Sequence, residues 1–549
     1  MIQAALRFAV LADRPQLFAW EQLCIGKLEQ SGLATLALVV EEPRSSPEED
    51  SMARLIRDLA GDVETHFPVT PLKALVATGL SELPLDFCLV FGSPKSRFQH
   101  APRCRGGAWT FAVSDMSRFS TTVPCFWEMM NDEAVTGAFL LRLRDQSKQG
   151  NAIRRGYFPV AHDSLRQSIE SVFRFLPDWP TDVSKAWCEQ GDDALETPPL
   201  PPAPARYGLP NADEIRRFRA LESRTHRRLM RERRHYLVDW NIARLNAPPA
   251  AFVGKDERAT VEVLQPSRKR RYIADPCIIS VDERRFVFCE DYPYGSEIGF
   301  ISAFEIKNKS CSPPVPVIVA PFHLSYPQVF EHKGVLYCMP ESGSAHQVTL
   351  YRAQEFPGKW IADKTLIDQF AAVDSTLLQA QGKWWLFCTS GERGFRAFNS
   401  HLYVWHADDL FGPWSPHPRN PVKIDVRSAR PAGQIFQHEG AWYRPAQDCS
   451  RRYGGAITIN RIDVLDERRY EETVVGTIRP PIGKYDKGIH TISSINGETI
   501  VDVQRTVFEP RTLVTAAWQT LRGAALAVGF SEGAIAGLKR RLKRDPASA

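Results

Sequence analysis

Long apolar runs are missing from this chain. No stretch approaches the roughly eighteen consecutive apolar residues that a membrane-spanning helix needs. The N-terminus, MIQAALRFAVLADRPQ, lacks the charged, apolar and small-residue order of a secretory signal and reads as a first strand. Cysteine is sparse. The eleven present are scattered, mostly inside apolar runs such as VFCED, LYCMP and LFCTS, with no CxxC pair. That excludes a disulfide scaffold and predicts buried free thiols in a reducing compartment. Charge of one sign is also short: Lys and Arg total 69, Asp and Glu 64, and the net charge is +5. A dedicated nucleic-acid binder would concentrate a basic face, so nucleic acid is excluded as a partner. There is no GxxxxGK loop and no GxGxxG after a strand. The histidines His323, His332, His346, His401, His406 and His438 are dispersed, which predicts structural roles and no metal site. Together these absences predict a cytoplasmic protein with no fixed cofactor.

What is present divides into four parts. Residues 1–190 read as α/β: LRFAVLA at 6–12, TLALVVEE at 35–42 and DFCLVFGS at 86–93 are strands, with a helical stretch at 17–31 between the first two. DSLRQSIESVFRFLPD at 163–178 opens on Asp-Ser and repeats apolar residues at helical spacing. Residues 191–237 form a connector. Its first part, DDALETPPLPPAPARYGLP at 192–210, is a proline-rich linker. A strongly basic helix follows at 211–236, whose arginines suit solvent, phosphate or an acidic partner. Residues 238–508 carry a repeat. The tail, 509–549, reads as a basic amphipathic helix. Its apolar face includes Leu513, Trp518, Leu521, Val528 and Phe530, and its charges Lys539, Arg540, Arg541, Lys543 and Arg544 suit an anionic membrane surface.

The repeat is a phrase met five times. An acidic or polar residue opens a short apolar run, a turn follows, and a second run ends in an aromatic or cysteine. It reads IADPCIISVDERRFVFCED at 273–291, SYPQVFEHKGVLYCMPES at 325–342, VDSTLLQAQGKWWLFCTS at 373–390, RPAGQIFQHEGAWYRPAQD at 430–448 and IHTISSINGETIVDVQ at 489–504. Copies spaced by about 50–60 residues predict a five-bladed β-propeller, one blade per copy. Polar residues at one point of every copy would converge at the mouth of the central channel. Asp275 and Asp374 open copies one and three, and Tyr326, Arg430 and His490 open the others. Glu290 with Asp291, Glu341, and Gln447 with Asp448 end the hairpins, and Tyr453 follows in a rim loop. Arg430 has a planar fork suited to a bidentate anion, which suggests an acidic or phosphate-linked sugar. Trp384, Trp385, Trp405, Trp414 and Trp442 are expected mainly in blade cores.

Two resemblances sharpen this. LDFCLVFGSP (85–94), GGAWTFAVSD (106–115), VPCFWEMMNDEAVTGAFLLRL (123–143) and GNAIRRGYFPV (150–160) resemble the formyltransferase fold, over about the first 180 residues. The resemblance implies an Asn-X-His on one strand and an Asp in the later hairpin. The strand here reads Trp109-Thr110-Phe111-Ala112-Val113, and the hairpin offers Gln149, with Asp145 four residues earlier. Without the imidazole no general base is evident, so this domain reads as degenerate in formyl transfer, with Ser114 and Asp115 the polar residues left. The phrases WNI, ADP, FCED, SYP, PES, VDS, ARPAG and RPAQD resemble the five-bladed propellers of glycoside hydrolase families 43 and 32. They look closest to the propeller module of plant glucosamine inositolphosphorylceramide transferases. That resemblance implies Asp275 as base, Asp374 as the orienting carboxylate and Glu341 as acid. Glu290, Asp291, Tyr326, Arg430, Gln447, Asp448, Tyr453 and His490 would contact substrate. The expectation is a carbohydrate-active enzyme performing glycosyl transfer or hydrolysis on a glycan or glycolipid, with a nucleotide sugar as candidate donor. A non-catalytic glycan-binding scaffold for a partner transferase is the alternative. A formyltransferase with a rearranged site is a further one.

Overall fold

The structure is a computed structural model. It describes residues 5–508 except 13–15, 42–46, 62, 64–67, 72–83, 93–103, 117, 119, 122, 145–149, 198–204, 266–270, 297, 308–309 and 394. The expected tail helix at 509–549, and Asp145 and Gln149, lie outside the described residues.

Five sheets, antiparallel except where Asp256–Arg258 pairs parallel with the outer strand of the fourth, lie between residues 236 and 508 and form a five-bladed propeller. Blade one comprises Arg271–Val281, Arg284–Pro293 and Phe300–Lys307, with Ser310–Cys311 and Val315–Ile318 on its outer side. Blade two is Ser325–His332, Val335–Glu341, Gln347–Glu355 and Lys359–Asp368. Blade three is Ala372–Ala380, Lys383–Ser390 and His401–Ala407, edged by Ser415–Pro416 and Lys423–Ile424. Blade four is Phe436–His438, Ala441–Asp448, Ala456–Leu465 and Tyr470–Arg479.

The fifth blade corrects the one-copy-one-blade expectation. Copy five supplies only its two inner strands, Ile492–Ile495 and Glu498–Phe508. The outer strands come from the start of the propeller, Tyr236–Leu245 and Val261–Gln265. Tyr236–Leu245 pairs with Glu498–Phe508 over ten residues, from Tyr236 opposite Phe508 to Leu245 opposite Thr499. A ring closed in this way leaves no open sheet edge between first and last blade.

The inner strands share one local device. In blades one to three the hairpin register slips, between Ala274 and Cys277, Ser325 and Gln328, and Val373 and Thr376. The second residue in each slip is left-handed: Asp275 at φ 52°, Tyr326 at 42° and Asp374 at 53°. Such bulges kink a strand and re-aim a side chain. Here they turn the opening residue of each copy toward the axis.

The N-terminal unit is built on a six-stranded sheet in the spatial order Ala34–Glu41, Leu6–Ala12, Phe87–Phe91, Ala108–Val113, Val135–Leu143, Asn151–Pro159. The first four strands run parallel, Val135–Leu143 runs opposite to them, and Asn151–Pro159 opposite to it in turn. Helices Ala19–Gln30, Leu165–Phe173 and Trp179–Gln190 pack on it around buried Trp109, Phe87, Trp179 and Phe158. Ser164 caps the second helix by accepting from Gln167 N at 3.2 Å. The basic helix is Ala212–His235, with Asn211 and Glu214 forming a capping box. Its Phe218 stacks on Phe126 at 4.6 Å, so one face of the helix is held on the N-terminal unit.

Candidate functional site

At the mouth, each opening residue meets a partner from a neighbouring blade. Asp275 comes from blade one and His490 from the segment entering blade five. His490 Nε2 lies 3.2 Å from Asp275 Oδ1, and Nδ1 lies 2.7 Å from Asp502 Oδ2, an ion-pair contact outside straight hydrogen-bond geometry. Thr491 Oγ1 donates to Asp275 Oδ1 at 2.8 Å and the Tyr326 N–H to Oδ2 at 3.3 Å. Asp502 accepts from the backbone N–H groups of Asp275, His490 and Thr491 at 3.0, 2.9 and 3.1 Å. Trp240 lies over the His490 ring with centroids 4.0 Å apart.

Asp374 of blade three forms the second pair. Arg430 Nε and Nη2 donate to its two oxygens at 2.6 and 3.2 Å, and Gln447 Nε2 adds a third bond at 2.8 Å. Arg430 Nη1 donates to Asn399 Oδ1 at 3.1 Å, and Tyr453 lies over the guanidinium at 4.9 Å.

These environments push the titrating groups apart. Burial works to lower His490, but Asp502 and Asp275 outweigh it and raise it to about 10. Burial works to raise Asp275, but His490, Thr491 and Arg430 outweigh it and hold the carboxyl below its usual range. Glu290 is pushed well up by burial and by Asp275, and Glu341 by burial and by Asp374. Glu290 has His323 Nε2 at 3.5 Å, and His323 Nδ1 accepts the Gly299 N–H at 2.9 Å. Glu341 Oε2 accepts the Asp374 N–H at 3.3 Å. The mouth therefore sets an Asp held low beside a His held high, and two carboxyls pushed up.

Several expected substrate contacts need correcting. Successive strand residues face opposite ways. Glu290 turns to the mouth, so Asp291 turns off it and accepts from Arg271 and Ser302 at 3.2 and 3.1 Å. Gln447 turns inward, so Asp448 turns out toward Asp425 and Arg427 and accepts the Ser450 N–H at 2.9 Å. Arg430 has all three nitrogens engaged and does not present a free fork. His490 is likewise held on both sides by aspartates. The Tyr326 hydroxyl is buried, bonded to Thr376 Oγ1 at 2.9 Å and to the Gly433 N–H. Tyr453 does reach the rim and is 40 % exposed.

Sequence reasoning missed Asp502, Thr491, Trp240 and Asn399. A signal for Asp502 existed: it stands on the second strand of copy five, as Glu290 and Glu341 do in copies one and two. Asp275, Tyr326 and Thr491 also line, with Cys277, Gln328 and Ser493, a cavity of about 10 Å³, room for about one water.

The fold and site define a five-bladed propeller with paired acids and cations at its mouth. Residues 258–505 match the family model described as glucosamine inositolphosphorylceramide transferase 1, N-terminal. The rice (Oryza sativa subsp. japonica) protein of that name is 35% identical over 208 residues, 37% of this chain and 28% of its own length. The Arabidopsis thaliana protein is 34% identical over 209 residues, 37% and 27%. The chain thus spans little more than a quarter of these curated relatives. Among solved structures, the family 117 glycoside hydrolase Zg3597 of Zobellia galactanivorans is similar at 15% identity and TM-score 0.31, covering 50% of this chain and 93% of that one. The catalytic domain of Coprinopsis cinerea GH62 α-L-arabinofuranosidase is similar at 12% and 0.33, covering 49% and 98%.

Proposed function

We propose that the propeller mouth is the working site of a carbohydrate-active enzyme that carries out glycosyl transfer, or hydrolysis, on a glycan or glycolipid. One observation carries this reading. Neighbouring carboxyls at the mouth are pushed in opposite directions, Asp275 down and Glu290 and Glu341 up. Glycoside cleavage needs one ionised and one protonated carboxyl about the scissile bond, and divergent environments assign the roles. In this scheme Asp275 takes the proton of an acceptor hydroxyl or of water. Glu341 gives a proton to the departing oxygen, and Asp374, fixed by Arg430, orients the sugar. The names of the matched relatives support a glycolipid acceptor, and a nucleotide sugar suits the donor side. A cytoplasmic location belongs to the same proposal. None of the eleven cysteines is in a disulfide and eight are buried, which suits a reducing compartment.

The test is a turnover screen of the full chain against nucleotide sugars and aryl glycosides, with Asp275→Asn and Glu341→Gln alongside. Turnover lost in both variants supports the scheme. Turnover that survives in Asp275→Asn removes the base assignment.

A second reading, a glycan-binding protein that assists a partner transferase, has its own support. Both Asp275 oxygens are already occupied by Thr491, His490 and the Tyr326 N–H, which weakens it as a base. That reading expects saturable glycan binding without turnover, weakened by Asp275→Asn. For the N-terminal unit we propose a formyltransferase-like fold without formyl transfer. Its support is the mixed sheet, with Trp109 buried on Phe87 at 4.0 Å where polar chemistry would be required. Titration with a folate analogue is expected to show no binding. Saturable binding would revive a rearranged formyltransferase site.

A further inference from the structure

In a blade the inner strand starts at the mouth, the second strand returns to it, and the fourth ends there. Residues 294–296 and 298–299 and the loops at 319–324 and 480–491 therefore lie on the mouth face. So does the junction where Tyr236 pairs with Phe508. Among the described residues, the large apolar side chains Tyr236, Val238, Ile298, Val319, Ile482 and Phe508 are exposed on this face, with Tyr453 at the rim. Ile482 is 85 % exposed, Val319 69 % and Phe508 52 %. Apolar residues scattered singly need no explanation, whereas a concentration on one face marks an interaction site.

The basic helix ends at the same place. Its buried side runs through Ile215, Phe218, Glu222, Thr225 and Leu229. At 100° per residue, Arg217, Arg224, Arg227 and Arg231 fall on the opposite side, and all four are exposed. Arg228 lies on the flank, where its charge acts on Asp132 and His162. Among the described residues none of the four has an ion pair or hydrogen bond. Arg231 lies within two turns of Tyr236, where the chain enters the closing blade.

We propose that this face docks on an anionic lipid bilayer, with the arginine stripe on headgroup phosphates and the rim side chains in the interfacial layer. Charge complementarity favours any polyanion. The apolar rim selects a bilayer, because a nucleic acid has no apolar phase to receive Ile482 and Val319. No helix among the described residues is long and apolar enough to cross a membrane, so the contact is with the surface. Docking places the mouth against the lipid. The proposal stands whether or not the mouth is catalytic, and it assigns membrane contact to residues other than the tail at 509–549.

The experiment is co-sedimentation of the full chain with vesicles of phosphatidylcholine, alone and mixed with phosphatidylglycerol. Binding is expected only to the mixed vesicles, and it is expected to fall as salt rises. The triple variant Arg224→Glu, Arg227→Glu, Arg231→Glu is expected to weaken binding by more than about tenfold. Val319→Ser with Ile482→Ser is expected to weaken the binding that persists at higher salt. All five positions are exposed, and a melting curve matching wild type confirms that each variant is folded. Two results overturn the proposal: no binding to the mixed vesicles, with or without binding of RNA, or binding unchanged in both variants.

Discussion

Burial alone would strip the proton from His490, yet Asp502 and Asp275 flank its ring and hold it at about 10. The sign of the linkage follows. An unfolded histidine titrates near 6.5, so the stabilisation from this raised group is fully present below about pH 6.5 and is lost as pH rises through 10. Asp275, held low, contributes above its unfolded value and loses that contribution as pH falls. Urea unfolding of wild type and His490→Gln from pH 5 to 10 should show a gap that is flat to about pH 6.5 and narrows above it. A gap that stays flat through the alkaline range would mean His490 is neutral in the fold. Arg430 makes a second residue-level prediction. Removing it in Arg430→Met leaves Asp374 buried without its partner and should cost roughly 3–5 kcal/mol. Arg430→Met with Asp374→Leu should recover most of that loss in the same denaturation experiment. Asp275 and Asp374 were legible because each opens a copy of a repeat. The engagement of Arg430 was not, because its partner lies 56 residues away and a residue type does not reveal what it faces.

The left-handed bulge belongs to the element, not the residue. It recurs in three blades and turns a side chain inward in each. In blade four Gly433 does related work at φ 122°, bridged to Ile492 of blade five. An added Cβ there would lie 1.8 Å from the Ile492 carbonyl oxygen. Backbone cannot yield as a side-chain tip does, so Gly433→Ala should destabilise by about 3 kcal/mol or more. A melting temperature within a degree or so of wild type would show instead that blades four and five part easily. Tyr326→Phe probes the neighbouring joint. It removes the hydroxyl shared by Thr376 and the Gly433 N–H and should cost about 1–3 kcal/mol. The hairpins could be read from sequence because apolar alternation, turn and second run are local. The closing strand could not, since Tyr236–Leu245 pairs with residues more than 250 positions later and carries no copy of the phrase.

At the scale of the whole molecule, the N-terminal unit and the propeller are clamped through charge. Arg393 of blade three donates two bonds to Asp182, at 3.0 and 2.6 Å, and Arg154 adds a third at 3.2 Å. Beside them the Val426 N–H donates to Tyr157 O at 3.1 Å, and Ala397 and Ile424 pack into the N-terminal core. A proline-rich linker suggests two parts free to move, and the sequence gives no sign of a clamp, since Asp182 is one acid among 64 and its partner lies 211 residues on. Asp182→Asn tests whether charge or apolar packing holds the parts together. The substitution keeps the shape but leaves two guanidinium groups facing each other across a buried joint, a loss of roughly 3–5 kcal/mol by the usual cost of breaking a buried pair. Calorimetry should then resolve two transitions where wild type gives one, and limited proteolysis should separate the two parts sooner. If the variant melts as wild type does, the apolar contacts of Ala397 and Ile424 carry the docking and the arginines only set its register.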